Sequence, residues 1–407
     1  MRVLVFFPHN PFPPRSGAHR RCIEILAAMR ELGHTVTLAS SEYTTETKWH
    51  TLSEADYATA GSPTLQIHSP TRGDWRYNHY WHLAQRYFPR RVPLSSIQYV
   101  LPSMPRWFER LAQSFQPDAI WMNYALYDRI VSKQLHARVH TLMEMLDFVT
   151  LYQPRFDALR AALPPPPLTP ARVNPALLDE RFFDARDGSV APEEYRIYDK
   201  YRHTIAITAE DGARVRQHAP HTRVAVIPMT YAIPALQNAY DGPALFTTGP
   251  NPFNAQGYLY FAARVLPHLR ARVPDFQLLV TGHTASLVEP AENVTLRDFV
   301  PDLAPLFATA RFLICPILAK TGQLVKIPEA MAHGLPVVAT ARAAEGSPLC
   351  HGENGFVAQN AEEFAEYTIR LWQDRALCRR LGDAARATMA QQFSRAQLLH
   401  HLAQVLQ

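Results

Sequence analysis

The chain has 407 residues, of which 47% are hydrophobic and 19% charged, with a formal net charge of +5. That length exceeds one ordinary core and calls for two domains, and the composition excludes a disordered chain. The positive balance favours anionic partners such as nucleotides, lipid phosphates or an anionic membrane surface, without singling out nucleic acid. Cys22, Cys315, Cys350 and Cys378 have no metal-like spacing, so reduced, structural thiols in a cytoplasm are expected.

Met1 to Phe7 reads as a buried parallel strand, too short for a signal-peptide core or a membrane span. No other apolar run approaches the ~20 residues a bilayer requires. A soluble or membrane-surface protein is expected. A Pro-rich loop with Ser16 and Gly17 follows, then Cys22, Ile25, Leu26, Met29 and Leu32 at helical spacing, closed by Gly33. Thr35 to Ala39 completes a βαβ unit, for which a right-handed crossover is expected. Residues 117–122, 138–145 and 203–208 read as further strands of that sheet.

Residues 72–91 interleave aromatic rings with basic side chains. A helix with buried rings and snorkelling basic ends accounts for them, ahead of acceptor or membrane contact and of single-stranded nucleic acid. Residues 161–192 hold many prolines, among them Pro164 to Pro167, and read as an insertion. Pro228 to Pro243 marks a linker.

The second half alternates cleanly. Strands are predicted at 244–248, 276–281, 294–297, 312–317 and 335–340. Helices are predicted at 257–272, 303–310, 326–333, 360–373 and 375–391, and Ser394 to Leu406 is amphipathic. The predicted class is α/β, two doubly wound Rossmann-like domains facing a cleft. The expected ranges are 1–232, carrying the insertion, then 233–393, then a C-terminal helix at 394–407.

The chemistry concentrates in Thr321-Gly-Gln-Leu-Val-Lys-Ile-Pro-Glu-Ala-Met-Ala-His-Gly-Leu-Pro-Val-Val-Ala-Thr340. A glycine loop opens a short helix, whose first turn offers unpaired N–H groups and a positive dipole end to a diphosphate. Gly322, Gln323 and Leu324 would supply those N–H groups, Lys326 a cation, and Glu329 an acceptor for hydroxyls. A helix-dipole complement at Glu329 and a solvated Lys326 would explain the same residues. Gly249 follows a strand directly, and Asn251 or Asn254 can bind phosphate or sugar oxygens, although Gly, Asn and Pro also make ordinary turns. Gly17 precedes a helix as a second anion site, with Arg15 and Ser16 beside it; Ser16 as a simple N-cap suffices too. Glu144 and Asp147 end a strand where an α/β sheet presents residues to its cleft, and surface carboxylates at a helix start are the plainer alternative. The chain lacks an Asp-x-Asp pair, a His-Glu-x-x-His motif, a Walker loop and a Gly-x-Ser-x-Gly elbow.

The 321–340 segment, with Glu345-Gly346 after it, resembles the donor-binding segment of family 4 glycosyltransferases, retaining enzymes of the two-domain GT-B fold. Leu245 to Asn254 resembles the glycine loop that opens their second domain. Asp298-Phe-Val-Pro-Asp302 resembles their base-contacting turn, which implies a donor contact at Val300. Pro8 to Arg21 resembles their first strand–loop–helix. The resemblance implies a nucleoside diphosphate sugar as donor, no cofactor, no metal ion and no nucleic-acid partner. It leaves a glycan, lipid-linked or small-molecule acceptor, with the protein in the cytoplasm, either free or in peripheral contact with the inner membrane face. Lys326, Glu329 and Asp147 become the catalytic candidates. Two positions depart from the family pattern. Thr321 stands where a sugar-contacting glutamate is common, and Leu146 occupies a histidine slot. A catalytically inactive donor-binding subunit and a nucleotide-sugar epimerase of the same fold are the alternatives.

Overall fold

A computed structural model describes residues 1–12, 14, 16–41, 66–68, 73–74, 76, 100, 102–183, 189–234, 238–319 and 323–407. Arg15, Thr321, Gly322 and nearly all of the aromatic–basic stretch 72–91 lie outside them. The chain divides into two compact units. The first comprises Met1–Thr150, Val190–Thr230 and Arg395–Gln407, and the second Leu151–Ser189 and Tyr231–Ser394. Among the described residues no helix is long and apolar enough to cross a membrane.

The first unit is built on β1 (Arg2–Phe6), β2 (Thr35–Ala39), β3 (Gln66–His68), β4 (Ala119–Asn123), β5 (His140–Met145), β6 (His203–Ala206) and β7 (Arg223–Val226). They form one parallel sheet in the order β3-β2-β1-β4-β5-β6-β7. Its apolar runs are buried on both faces, as parallel sheets require, with Val3, Leu4, Ile120, Trp121, Leu142 and Ile205 all fully covered. Ser16 caps the helix Gly17–Glu31, its hydroxyl accepting from His19 N at 3.3 Å. The helix Arg395–Val405 packs in this unit, with Leu398 and Leu402 joining the cluster around Ile25, Leu26 and Met29.

The second unit holds β8 (Ala244–Thr248), β9 (Leu278–Gly282), β10 (Val294–Arg297), β11 (Leu313–Cys315), β12 (Val337–Thr340) and β13 (Gly355–Ala358). They run parallel in the order β10-β9-β8-β11-β12-β13. Each unit thus repeats the 3-2-1-4-5-6 order of a dinucleotide-type sheet, reversing direction beside its first strand. The fold is two doubly wound α/β units, as the alternation predicts.

Three features differ from expectation. The edge strands β3, β7 and β13 are not among the expected ones: β3 spans three residues, β7 holds Arg223 and Ala225, and β13 opens on Gly355, so none is a run of large apolar residues. The helix expected at 257–272 starts at Pro252, passes through a π-helical turn at Phe261–Val265 and resumes as Leu266–Arg272. Pro267, with no N–H to donate, lies just past the π turn. The Pro-rich stretch, expected as an insertion in the first domain, clusters with the second unit. Leu168, Val173, Leu177, Leu178 and Phe183 enter that unit's core. Leu168 N donates to Leu287 O at 2.8 Å and Leu168 O accepts from Glu289 N at 3.1 Å. Burial of five apolar side chains settles where this non-periodic segment packs.

Candidate active site

Ligands of doubly wound sheets gather at the carboxyl ends of the strands, where strand order reverses. In the second unit that point lies between β8 and β11. The loop after β8 runs Thr248, Gly249, Pro250, Asn251, then enters the helix Pro252–Tyr260. Asn251 is the N-cap, its Oδ1 accepting from Phe253 N at 3.0 Å. Among the described residues, a Cβ built on Gly249 would meet nothing within 4 Å, so they leave this side of the loop open. The loop is stitched to its neighbours. Thr248 Oγ1 donates to Thr281 O at 2.6 Å and accepts from Thr284 N at 3.1 Å. Gly282 adopts φ +93°, and a Cβ there would lie 2.0 Å from Thr248 O, so only glycine fits. Gly282 N donates to Asp298 O at 3.4 Å, which sets the turn after β10 on the same sheet edge. In that turn Val300 is half-buried and Phe299 is 81% exposed.

Lys326 opens the seven-residue helix Lys326–Ala332 that follows β11. Its Nζ donates to Asn254 Oδ1 at 2.5 Å and lies 4.5 Å from the centroid of the buried Phe246 ring on β8. Burial pushes its pKa down to about 8, while Cys315 and Glu329 pull the other way. The Cys315 thiol is in turn pushed up to about 11 by burial. Asn254 spends its amide N–H groups on Gly249 O at 3.2 Å and Asn251 O at 3.1 Å. It therefore acts as a bracket between the β8 loop and Lys326.

Glu329 sits one turn further along, half-buried, and its carbonyl accepts from His333 Nδ1 at 2.8 Å. Before the helix, Leu324 packs on the core and its carbonyl accepts from Ile327 N at 3.2 Å. Gln323 Oε1 is buried and has no hydrogen-bond partner among the described residues. The structure thus gathers Gly249, Asn251, Asn254, Gln323, Leu324, Lys326 and Glu329 around one strand-end reversal, with Val300 on the same sheet edge. Thr321 and Gly322 fall outside the described residues.

In the first unit Gly17 starts its helix behind the Ser16 cap, and Asp147 is half-buried just past β5. Glu144 is not the surface carboxylate or sugar contact expected of it. It is fully buried, accepting from Arg21 Nε at 2.6 Å and Trp121 Nε1 at 2.7 Å. Arg21, 1% exposed, also donates to Pro228 O at 2.6 Å and Ile227 O at 2.8 Å. A buried carboxylate whose two oxygens face two N–H donors is a structural tie. Nothing in the sequence pattern marks Arg21 as its partner, which lies 123 positions away.

Residues 242–374 match the family described as Glycosyl transferases group 1. No curated protein matches the chain in sequence. Among solved structures, sucrose-phosphate synthase from Thermosynechococcus elongatus is similar with a TM-score of 0.66 at 16% identity, over 99% of this chain and 98% of that one. The TarM protein of S. aureus gives 0.69 at 9% identity over 100% and 98%. HepE of Anabaena, solved with UDP and glucose, gives 0.59 at 14% identity over 100% and 99%. The chain has the two-unit GT-B fold, and the match to the glycosyl transferases group 1 family lies within its second unit.

Proposed function

We propose that the protein is a glycosyltransferase that moves a sugar from a nucleoside diphosphate sugar to an acceptor hydroxyl. The observation that carries this reading is Lys326. An ammonium is held by Asn254 and the Phe246 ring at the strand-order reversal of a group 1 domain. A cation fixed there meets the charge that develops as a nucleoside diphosphate departs, the electrostatic form of catalysis that needs no reorganisation during reaction. Glu329 would accept from ribose hydroxyls, Val300 and its turn would receive the base, and the open side of Gly249 would admit the diphosphate or sugar. Asp147 is the candidate on the acceptor side. HepE was solved with UDP and glucose, and the pneumococcal O-GlcNAc transferase GtfA with UDP and GlcNAc, so uridine nucleotides are the first donors to test.

Retention follows from the family resemblance, as does independence of a metal ion, since Lys326 supplies the leaving-group charge. A glycan, lipid-linked or small-molecule acceptor fits the reading equally, as do a cytoplasmic location and contact with the inner membrane face. Turnover of UDP-, GDP- and ADP-sugars, with nucleotide protection against heating, tests it. Protection and turnover by one donor class are expected. Protection without turnover would favour the inactive donor-binding reading that Thr321 and Leu146 motivate. Neither protection nor turnover by any donor would refute the enzyme reading.

A further inference from the structure

The helix that carries Asn254 is gripped from a second side by a distant part of the chain. Its residues Phe253, Gln256 and Tyr260 fall at i, i+3 and i+7, one helical stripe. Each meets the strap formed by residues 163–183. The Phe253 ring packs on the Phe183 ring with centroids 5.7 Å apart, and Phe182 meets Phe183 edge-on at 4.8 Å. Gln256, fully buried, donates from Nε2 to Leu177 O at 2.8 Å. Tyr260 OH donates to Glu180 Oε1 at 2.8 Å, and the same oxygen accepts from Ala361 N at 3.1 Å.

A different face of the helix carries Asn254 and Gly257. A Cβ at Gly257 would lie 2.9 Å from Pro316 O, so the helix already rides against the chain leaving β11, and it has no slack in that direction. Asn254 reaches Lys326 from this face. The helix is therefore clamped between the strap and the β11 exit, and its position sets the distance from Asn254 to the ammonium. The strap also bridges Leu168 to Val288 in the connection from β9 to β10, the connection from which Thr284 N donates to Thr248 Oγ1 at the head of the β8 loop.

We propose that this strap is a positioning device for the donor site, with Phe183 and Glu180 as positioning residues that act on Lys326 through the Asn254 helix. The donor role rests on the proposed function; the positioning of Lys326 does not. None of the strap residues needs to touch the nucleotide. Cutting the Phe183 ring lets the first turn of the helix relax toward the strap, drawing Asn254 away from Lys326. Glu180 holds the far end of the same stripe and ties it to the start of the helix Ala361–Gln373.

The test uses the full chain with Phe183→Ala, the conservative Phe183→Leu, and Phe356→Ala as a control for lost stability alone. Phe356 is buried on the edge strand β13, where its ring meets His351, Tyr367 and Arg370. Two readouts are taken at a temperature where circular dichroism shows all proteins folded. One is the titration midpoint of Lys326 in nucleotide-free protein, followed by NMR of labelled lysine; the other is UDP affinity by calorimetry. Phe183→Ala should move the Lys326 midpoint toward an ordinary lysine and weaken UDP binding about 3- to 30-fold. Phe183→Leu should restore most of both. Phe356→Ala should leave the midpoint in place and UDP affinity within about twofold. An unmoved Lys326 midpoint in folded Phe183→Ala overturns the strap proposal, as does an equal shift in Phe356→Ala. A wild-type protein that binds no nucleoside diphosphate overturns the donor reading instead, while the Lys326 titration still decides the positioning role.

Discussion

Replacing Glu144 with glutamine separates a structural from a catalytic role at the end of β5. The native carboxylate is fully buried and receives Arg21 Nε at 2.6 Å and Trp121 Nε1 at 2.7 Å. A glutamine of the same shape keeps one acceptor oxygen, turns an N–H group toward the second donor, and removes the hydrogen-bonded counter-charge of a guanidinium that is 1% exposed, leaving the Glu24 carboxylate as the nearby opposite charge. The carbonyls of Ile227 and Pro228 still accept from Arg21, but they carry no charge. Breaking a buried pair from one side costs about 3–5 kcal/mol, because an uncompensated charge stays behind. At about 2–4 °C per kcal/mol for a unit of this size, the transition of the first unit should fall by roughly 6–20 °C. Differential scanning calorimetry of Glu144→Gln reads that shift directly. Removing both charges with Arg21→Met and Glu144→Leu together should destabilise less than Glu144→Gln alone. A Glu144→Gln protein that melts within about 2 °C of wild type yet loses transferase activity would refute the reasoning and return Glu144 to the site.

Gly282→Ala should destabilise the second unit by about 1–3 kcal/mol, seen as a lower urea midpoint, since φ is +93° and the added Cβ would lie 2.0 Å from Thr248 O; an unchanged midpoint would contradict the tight turn. His140 Nε2 and His203 Nδ1 lie 2.8 Å apart, with Arg202 and Arg223 facing them, and burial together with those charges lowers the His140 pKa to about 4 and lowers that of His203 as well. The unfolded chain then binds more protons than the folded one, so stability should be full above the ordinary histidine pKa of about 6.5 and decline as pH falls from there toward about 4. Thermal melts across that window check it, and His140→Gln should flatten the slope. If Lys326 carries the leaving-group charge, turnover should persist after dialysis against EDTA; loss of activity restored by a divalent cation would refute that part of the reading.

Local patterns made the strands and the candidate site legible, and long-range packing hid the rest. Runs such as Val3 to Phe7 and Thr35 to Ala39 declare themselves because strands buried on both faces are continuously apolar. Gly249, Lys326 and Glu329 were readable because strand–loop–helix punctuation is local. That Asn254 holds Lys326 was not, since the two lie 72 positions apart and an asparagine beside Gly and Pro looks like any turn residue. The strap was misassigned for the same reason. Leu168, Val173, Leu177 and Phe183 show no helical or strand period, and their partners at Phe253, Gln256 and Val288 come much later in the chain. Glu144 looked like an exposed carboxylate because only the folded sheet brings Arg21 and Trp121 to it.

Calorimetric titration of UDP, GDP and ADP into the wild-type protein and into Lys326→Ala tests the central claim most directly. At least one nucleotide should bind wild type. Lys326→Ala should weaken it by about 1–3 kcal/mol, the worth of a charge-assisted hydrogen bond. Wild-type affinity should also decline as pH rises through about 8, where the Lys326 ammonium loses its proton. Binding of no nucleoside diphosphate, or equal affinity for wild type and Lys326→Ala, would contradict the assignment of the donor site to Lys326.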